Sequence, residues 1–310
     1  MKLLVAGGTG FIGAPLCRTL AEHGHEVVVL SRNASARPRE VGVRFLSLEG
    51  SEWPRLLGDV QGVINLAGES IAGKRWGAGR KLRLRESRVQ TTRRLVSALA
   101  DVPRRPSVLV NASAVGYYGA RGDEELAETD PPGAGFLAEL CQVWEAEARR
   151  AEAFGVRVVR LRLGVVLGPD GGALEKMVPP FRWGLGGPLG SGRQWVSWIH
   201  IQDVIGLIEW ALTNPDISGA VNATAQNPVT MREFAGTLGR VLRRPSWAPV
   251  PSAALRLLLG EMADELLLAS QRVLPRAALK SGFAFRFPEL APALADATRG
   301  CNLAGGQVKS

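Results

Sequence analysis

The chain is poor in the residues that bind metals or cross-link small domains. Among its 310 residues are three cysteines and three histidines. Cys17, Cys141 and Cys301 stand far apart and form no C-x-x-C, which excludes a disulfide framework and a zinc knuckle. With so few histidines, no metal site is expected. Tyrosine is scarcer still: the two present, Tyr117 and Tyr118, are adjacent. Long hydrophobic runs are also missing. The most apolar stretch near the C-terminus, Leu255 to Leu268, is broken by Arg256, Glu261, Asp264 and Glu265, so no membrane span of roughly 18 apolar residues is expected. Met1 leads within one residue into a strand pattern, so no signal peptide is expected and the cytoplasm is the default compartment.

The remaining composition is that of a globular chain, 46% hydrophobic and 22% charged, and long enough for about two domains. The net charge of +9 raises the question of a polyanionic partner. Its arginines are spread out, with one denser stretch from Lys74 to Arg94, and show neither aromatic interleaving nor helix-turn-helix spacing. A nucleic-acid partner is therefore not expected, and a polyanionic small molecule fits better.

The N-terminus makes that partner concrete. Lys2 to Ala6 is a short apolar strand pattern, followed by Gly7-Gly8-Thr9-Gly10-Phe11-Ile12-Gly13, a helical spacing from Ala14 to His23, and a second strand pattern from His25 to Leu30. In that strand–loop–helix–strand setting the glycines have a mechanism. Gly7 makes a tight turn, Gly10 admits a pyrophosphate to the backbone, and Gly13 lets the helix pack on the strand. The phosphates then meet the helix N-terminus, with Thr9, Phe11 and Ile12 around them. An NAD site places an acid roughly 20 residues further on, to hold the ribose 2′-hydroxyl. Here that position reads Leu30-Ser31-Arg32-Asn33, and the next acid is Glu40. Ser31 and Arg32 suit a 2′-phosphate, so NADP(H) is the expected cofactor.

The pattern then alternates. Strands are expected at Val43–Leu48, Val60–Asn65, Ser107–Ser113 and Val156–Leu163, with helices around Trp53–Leu57, Lys74–Ala100 and Gly135–Phe154. The fold class is thus α/β, a Rossmann-type doubly wound parallel sheet. After Gly164 the texture turns glycine-rich, with short elements at Trp195–His200, Ile201–Leu212, Ala220–Ala223 and Thr230–Leu242. A pair of helical patterns follows around Pro275, giving a smaller mixed α/β C-terminal region.

Several segments resemble extended short-chain dehydrogenases/reductases: the glycine loop, Val63-Ile-Asn-Leu-Ala-Gly68, Val110-Asn-Ala-Ser113, Arg160 to Pro169 and Trp198-Ile-His-Ile-Gln-Asp203. Others, Ala67-Gly-Glu-Ser70, Arg75-Trp76, Gly187 to Gly192 and Gln271 to Pro275, are similar to the atypical nucleoside-diphosphate-sugar-epimerase-like subgroup, often called YfcH-like. The resemblance spans residues 1 to about 298. It implies an NADP-binding domain over residues 1–165, whose sheet later segments complete, and a substrate-side region over 166–298 with a helical extension from about Pro249. A loose tail is expected over 299–310. It further implies that Leu66, Ala67 and Gly68 line the adenosine–pyrophosphate stretch, that Val165 meets the nicotinamide side through its backbone, and that Arg83 or Arg88 contacts the phosphates. Those two arginines lie about 140° apart on a helix, so they face different ways, and Arg88 is preferred. A homodimer is compatible with this class.

The resemblance also defines what is missing. Such enzymes pair a serine or threonine with Tyr-x-x-x-Lys on the helix after the fifth strand, the lysine helping the tyrosine exchange a proton. Ser113 is taken as the serine. On the helix, Leu137 and Cys141 stand where Tyr and Lys are expected if Glu145 marks the register, and a one-residue shift gives Phe136 and Leu140. No Tyr-x-x-x-Lys exists in the chain. Tyr117 or Tyr118 is the substitute acid, Tyr117 being preferred, although an unassisted phenol with an ordinary pKa of about 10 is a poor base at neutral pH. His200 reads as a structural histidine and Cys141 as a small buried residue. The Gly186–Trp195 loop, with Arg193, Gln194 and Trp195, is the most substrate-like element. The expected activity is oxidation–reduction or epimerisation of a carbonyl or nucleotide-sugar substrate. The alternative is a non-catalytic NADP(H)-binding sensor or scaffold.

Overall fold

In the computed structural model, residues 1–34, 41–169 and 171–299 are described. Glu40 and, apart from Arg299, the expected tail lie outside them. The N-terminal half alternates as its spacing predicts: β1 (Lys2–Ala6), α1 (Gly13–Glu22), β2 (Glu26–Ser31), β3 (Val43–Ser47), α2 (Trp53–Leu56), β4 (Gly62–Asn65), α3 (Ala78–Ala98) and β5 (Val108–Ala114). After β6 (Glu125–Leu126) come α4 (Phe136–Arg149), β7 (Arg157–Leu163), β8 (Val165–Leu167) and α5 (Leu174–Arg182). The chain continues through β9 (Trp195–Val196), β10 (Trp198–His200), α6 (Ile201–Thr213), β11 (Gly219–Ala223) and β12 (Val229–Thr230). It ends with α7 (Met231–Leu242), α8 (Ser252–Leu259), β13 (Arg272–Val273), α9 (Arg276–Lys280) and α10 (Leu290–Ala297).

Seven strands form one sheet in the order β11-β7-β5-β4-β1-β2-β3. The β1/β2, β1/β4, β2/β3 and β4/β5 pairs run parallel, as a doubly wound α/β fold requires. The register places Ala6 beside both Leu30 and Asn65, and Asn65 beside Asn111. The carboxyl ends of four strands are thereby level, and ligands of open α/β sheets bind outside those ends.

Two compact units are distinguished. The first comprises Met1–Ser113, Glu139–Leu161 and Ile208–Val221, and the second Ala114–Ala138, Arg162–Leu207 and Asn222–Ser310. The core of the first packs Leu4, Val28, Val63 and Leu109 from the strands against Leu95, Leu99 and Ala148 from the helices. The second gathers Leu174, Val178 and Phe181 of α5, Trp198, Phe234 and Leu238 of α7, and Leu294 of α10.

Three elements depart from the expectations. α3 starts at Ala78 rather than Lys74, because Gly77 is extended and the Trp76 indole donates to the Ile71 carbonyl at 3.0 Å, which holds the approach in a turn. α5 forms although Pro179 and Pro180 argue against a helix. Its apolar Leu174, Val178 and Phe181 share one face and are buried, and tertiary packing outweighs propensity there. The C-terminal pair of helical patterns resolves into α8, a π-helical turn at Ala263–Leu267, β13, α9 and α10.

Candidate functional site

At the end of β1 the backbone folds back, the Gly10 amide donating to the Gly7 carbonyl at 3.1 Å. Gly7 has φ +83°, and a Cβ there would lie 2.6 Å from the Leu66 carbonyl carbon. A Cβ on Gly13 would stand 2.1 Å from the Gly7 oxygen. Gly10 is different, because its Cβ would meet only the Gly7 oxygen, at 3.4 Å. Its missing side chain answers no internal crowding and leaves the turn open. α1 begins beyond it with no side-chain cap at Ile12 and no acid in its first turn. Such a terminus presents amides and the positive end of the helix dipole to an anion.

At the end of β2, Ser31 is buried and its hydroxyl accepts from the Asn33 amide at 3.2 Å, while Arg32 is exposed. After β4 the Leu66 amide donates to the Ala6 carbonyl at 2.8 Å and the Ala67 amide to the Asn65 side chain at 3.2 Å. Gly68 packs on Arg88, and a Cβ there would be 2.9 Å from the guanidinium carbon. The two arginines of α3 do diverge. Arg83 is exposed, whereas Arg88 is buried, donating to the Glu69 carbonyl at 2.9 Å and the Leu84 carbonyl at 3.1 Å, 5.3 Å from the Trp144 ring centre. Burial pulls its pKa down to about 10. Arg80 pairs with Glu69, so two arginines hold the Gly68–Ser70 stretch. The first unit thus collects Gly7 to Gly13, Ser31, Arg32, Leu66 to Gly68 and Arg88 around the carboxyl ends of β1, β2 and β4.

A buried polar chain lies beneath. Asn65 donates to Asn111 at 2.6 Å and to the Thr92 hydroxyl at 2.8 Å, and the Trp144 indole reaches the same hydroxyl at 2.9 Å. Ser113, 2% exposed, donates its hydroxyl to Glu145 at 2.7 Å, and Glu145, 1% exposed, receives Arg160 at 3.1 Å. Buried polar groups need such partners. The Ser113 hydroxyl is therefore occupied by an internal ion pair. Sequence reasoning used Glu145 only as a register mark and missed Arg160. The available signal was an arginine between Val159 and Leu161 in the middle of β7.

In the second unit, Leu137 packs on Gly116, whose Cβ would be 3.1 Å from the leucine Cβ. The amides of Phe136 and Leu137 both donate to Glu265 at 2.8 Å, which caps α4. In the first unit, Cys141 is buried, as its apolar reading expected. The Tyr118 oxygen accepts from Arg162 at 2.8 Å and lies 2.7 Å from the Asn222 side-chain oxygen and 2.9 Å from the Ala127 carbonyl. Burial pushes its phenol up to about 12. Tyr117 is half-buried, with the Arg162 guanidinium 3.5 Å from its ring centre. Among the described residues its hydroxyl has no hydrogen-bond partner. The Val165 amide donates to the Ser197 carbonyl at 2.8 Å, so that N–H is occupied in pairing β8 with β10.

His200 is fully buried. It stacks on Phe287 at 3.9 Å, accepts from the Gln202 amide at 3.3 Å and lies 3.3 Å from the Asp296 carboxylate. Burial pulls its pKa down to about 4, so it is neutral at physiological pH. Asp203 accepts from the Arg286 and Phe287 amides at 2.6 and 3.0 Å, and burial raises its pKa. Both residues fasten the C-terminal extension. Gln194 likewise holds the loop, donating to the Leu189 and Leu267 carbonyls.

A level set of parallel strand ends, a left-handed glycine turn and an uncapped helix define a dinucleotide-binding α/β protein. The chain belongs to the NAD dependent epimerase/dehydratase family, whose model matches residues 3–223, and a domain of unknown function, DUF1731, matches residues 250–297. It is 44% identical to the chloroplastic epimerase family protein SDR39U1 homolog of Arabidopsis thaliana over 95% of this chain and 86% of that one. It is 41% identical to epimerase family protein YfhF of Bacillus subtilis over 95% and 97% of the two chains. Among solved structures, human epimerase family protein SDR39U1 (isoform 2), crystallised with NADPH, superposes with a TM-score of 0.85 at 37% identity, covering 96% of this chain and all of that one. Among the described residues no helix is long and apolar enough to cross a membrane.

Proposed function

We propose that this chain binds NADP(H) at the glycine turn and acts as an NADP(H)-dependent oxidoreductase or epimerase-like protein on a carbonyl or nucleotide-sugar substrate. The observation that carries the cofactor reading is Gly10, open on the side where a pyrophosphate would approach, next to the uncapped start of α1. Gly7, Thr9, Gly10, Phe11, Ile12 and Gly13 would hold the pyrophosphate, Ser31 and Arg32 the 2′-phosphate, and Leu66 to Gly68 the adenosine side. Arg88 would lend positive charge from below. When bound, NADPH supplies a hydride. The likeness to the NADPH-bound human relative supports the same reading. Calorimetry tests it: NADPH should bind more tightly than NADH, and Arg32→Ala should remove most of that difference. Equal affinities in the unaltered protein would sink the claim.

On the proton side, the Ser113 hydroxyl donates to Glu145 and the Tyr118 oxygen accepts from Arg162. Tyr117 is the hydroxyl left to meet a substrate and takes the proton transfer, with Ser113 in support. The alternative, a non-catalytic sensor or scaffold, is favoured by the same occupation of Ser113 and Tyr118. Rapid mixing of the NADPH complex with aldehydes, ketones and nucleotide sugars separates the two. Oxidation that slows in Tyr117→Phe supports catalysis, and tight NADPH binding without turnover across the panel supports the sensor.

A further inference from the structure

The second unit carries an apolar surface that the cofactor reading does not use. α5 ends at Arg182, and the chain turns at Gly184, whose φ is +77°. Beside that turn Trp183 is 80% exposed and Leu185 57% exposed. The following residues run along a proline-bounded segment, the Ala248 amide donating to the Gly186 carbonyl at 3.1 Å and the Val250 amide to the Pro188 carbonyl at 3.0 Å. There Trp247 is 70% exposed between Pro245 and Pro249. Both indoles project from turns, Trp183 beside Gly184 and Trp247 between prolines that fix their own φ angles.

Next to Trp247 is a cavity of about 290 Å³ lined by Arg232, Ser191, Ser246 and Gly236. Gly236 lies inside α7, where glycine weakens a helix, yet a Cβ there would touch nothing within 4 Å. Its missing side chain meets no packing demand and keeps the cavity floor open. The surroundings are basic. Arg232, Arg240, Arg243 and Arg244 are exposed. Glu233 is the one acid between residues 231 and 256, and its carboxylate is engaged in the capping box with Thr230.

We propose that this face docks on an anionic phospholipid bilayer. Trp183, Leu185 and Trp247 enter the interfacial layer, the flanking arginines pair with lipid phosphates, and one headgroup phosphate reaches Arg232 in the cavity. Tryptophan favours the membrane–water interface, and basic residues near it are drawn to anionic lipid. A bilayer fits better than an acidic peptide because the apolar anchors protrude from this chain. A groove that grips peptides would instead be built to enclose the partner's anchors.

The test is co-sedimentation of the full chain with vesicles of phosphatidylcholine alone or mixed with phosphatidylglycerol, at low and high salt. Binding is expected only to the anionic vesicles, weakening with salt, with indole fluorescence quenched by brominated acyl chains. The Arg243→Glu/Arg244→Glu variant should lower the partition by roughly 30-fold or more, from the contribution per basic residue near such a surface. The Trp183→Ala/Trp247→Ala variant should lose both binding and the brominated-lipid quenching that those indoles give. Thermal unfolding and NADPH affinity, expected to be unchanged, show that each variant is folded. Equal binding to neutral vesicles, no binding to anionic ones, or full binding by either folded variant would overturn the proposal. Retention on polyglutamate without any vesicle binding would replace the lipid by an acidic protein.

Discussion

At the glycine turn the backbone is shaped to leave room, whereas at Ser113 and Tyr118 the hydroxyls are bonded to neighbours. Gly7 and Gly13 lack side chains because backbone atoms stand where a Cβ would go, and Gly10 lacks one although nothing comparable does. Ser113 donates a hydrogen bond to the carboxylate of a buried ion pair, and the Tyr118 oxygen accepts one from Arg162. One region is prepared for something that arrives from outside. The other is complete without it. A cofactor site and a proton-transfer site can therefore be kept to different degrees within one fold, and each has to be argued from its own atoms.

Four substitutions or titrations probe the two regions separately. The largest effect is expected for Gly13→Ala, which drives a methyl into the Gly7 carbonyl; a loss above about 4 kcal/mol should appear as an unfolded or strongly shifted denaturant midpoint. Glu145→Gln is next. Removing the charge that faces Arg160 should cost about 3–5 kcal/mol in chemical denaturation. A near-neutral result would mean that the buried pair does not fasten Ser113 as described.

Acidification gives a smaller effect. His200 titrates near 4 in the folded protein, against about 6.5 when unfolded, so the unfolded chain binds more protons between those values. Stability from this group is fully present above pH 6.5 and is lost as pH falls toward 4, by roughly 2 kcal/mol at pH 5. The facing Asp296 and Arg286 are held constant by comparing His200→Gln, whose denaturation midpoint should vary less over the same range. The smallest change in stability belongs to Gly10→Ala. Its unfolding temperature should stay within about 2 °C of the parent, while NADPH affinity falls by roughly tenfold or more. A destabilised Gly10→Ala protein with unchanged affinity would erase the distinction between the two regions.

How much of this was legible in the sequence follows from how local each signal is. The β1–glycine–α1–β2 unit could be read because its periodicities and glycines fall within thirty residues. Arg32 stood out because an expected acid was missing beside it. α5 was not legible: Pro179 and Pro180 speak against a helix, and the face that overrides them is buried by distant segments. The partnership of Ser113 with Glu145 was hidden for a related reason. The two are 32 positions apart, and only the packing of the sheet against α4 brings the Ser113 hydroxyl onto the Glu145 carboxylate. Tyr117 and Tyr118 were indistinguishable as neighbours until Arg162 separated a ring contact from a hydroxyl contact.

The burial of Arg88 restricts what can stand beside it. Cys141, which the register marked by Glu145 would set at the lysine position, lies close enough for its thiol to bear on the Arg88 guanidinium. A lysine introduced there would bring a second cation into a buried space already holding one, and like charges so placed repel strongly. A tyrosine replacing Leu137 would meet Gly116 where the leucine now packs. Neither half of a Tyr-x-x-x-Lys pair can therefore be introduced here alone without a penalty from the residues already packed around it.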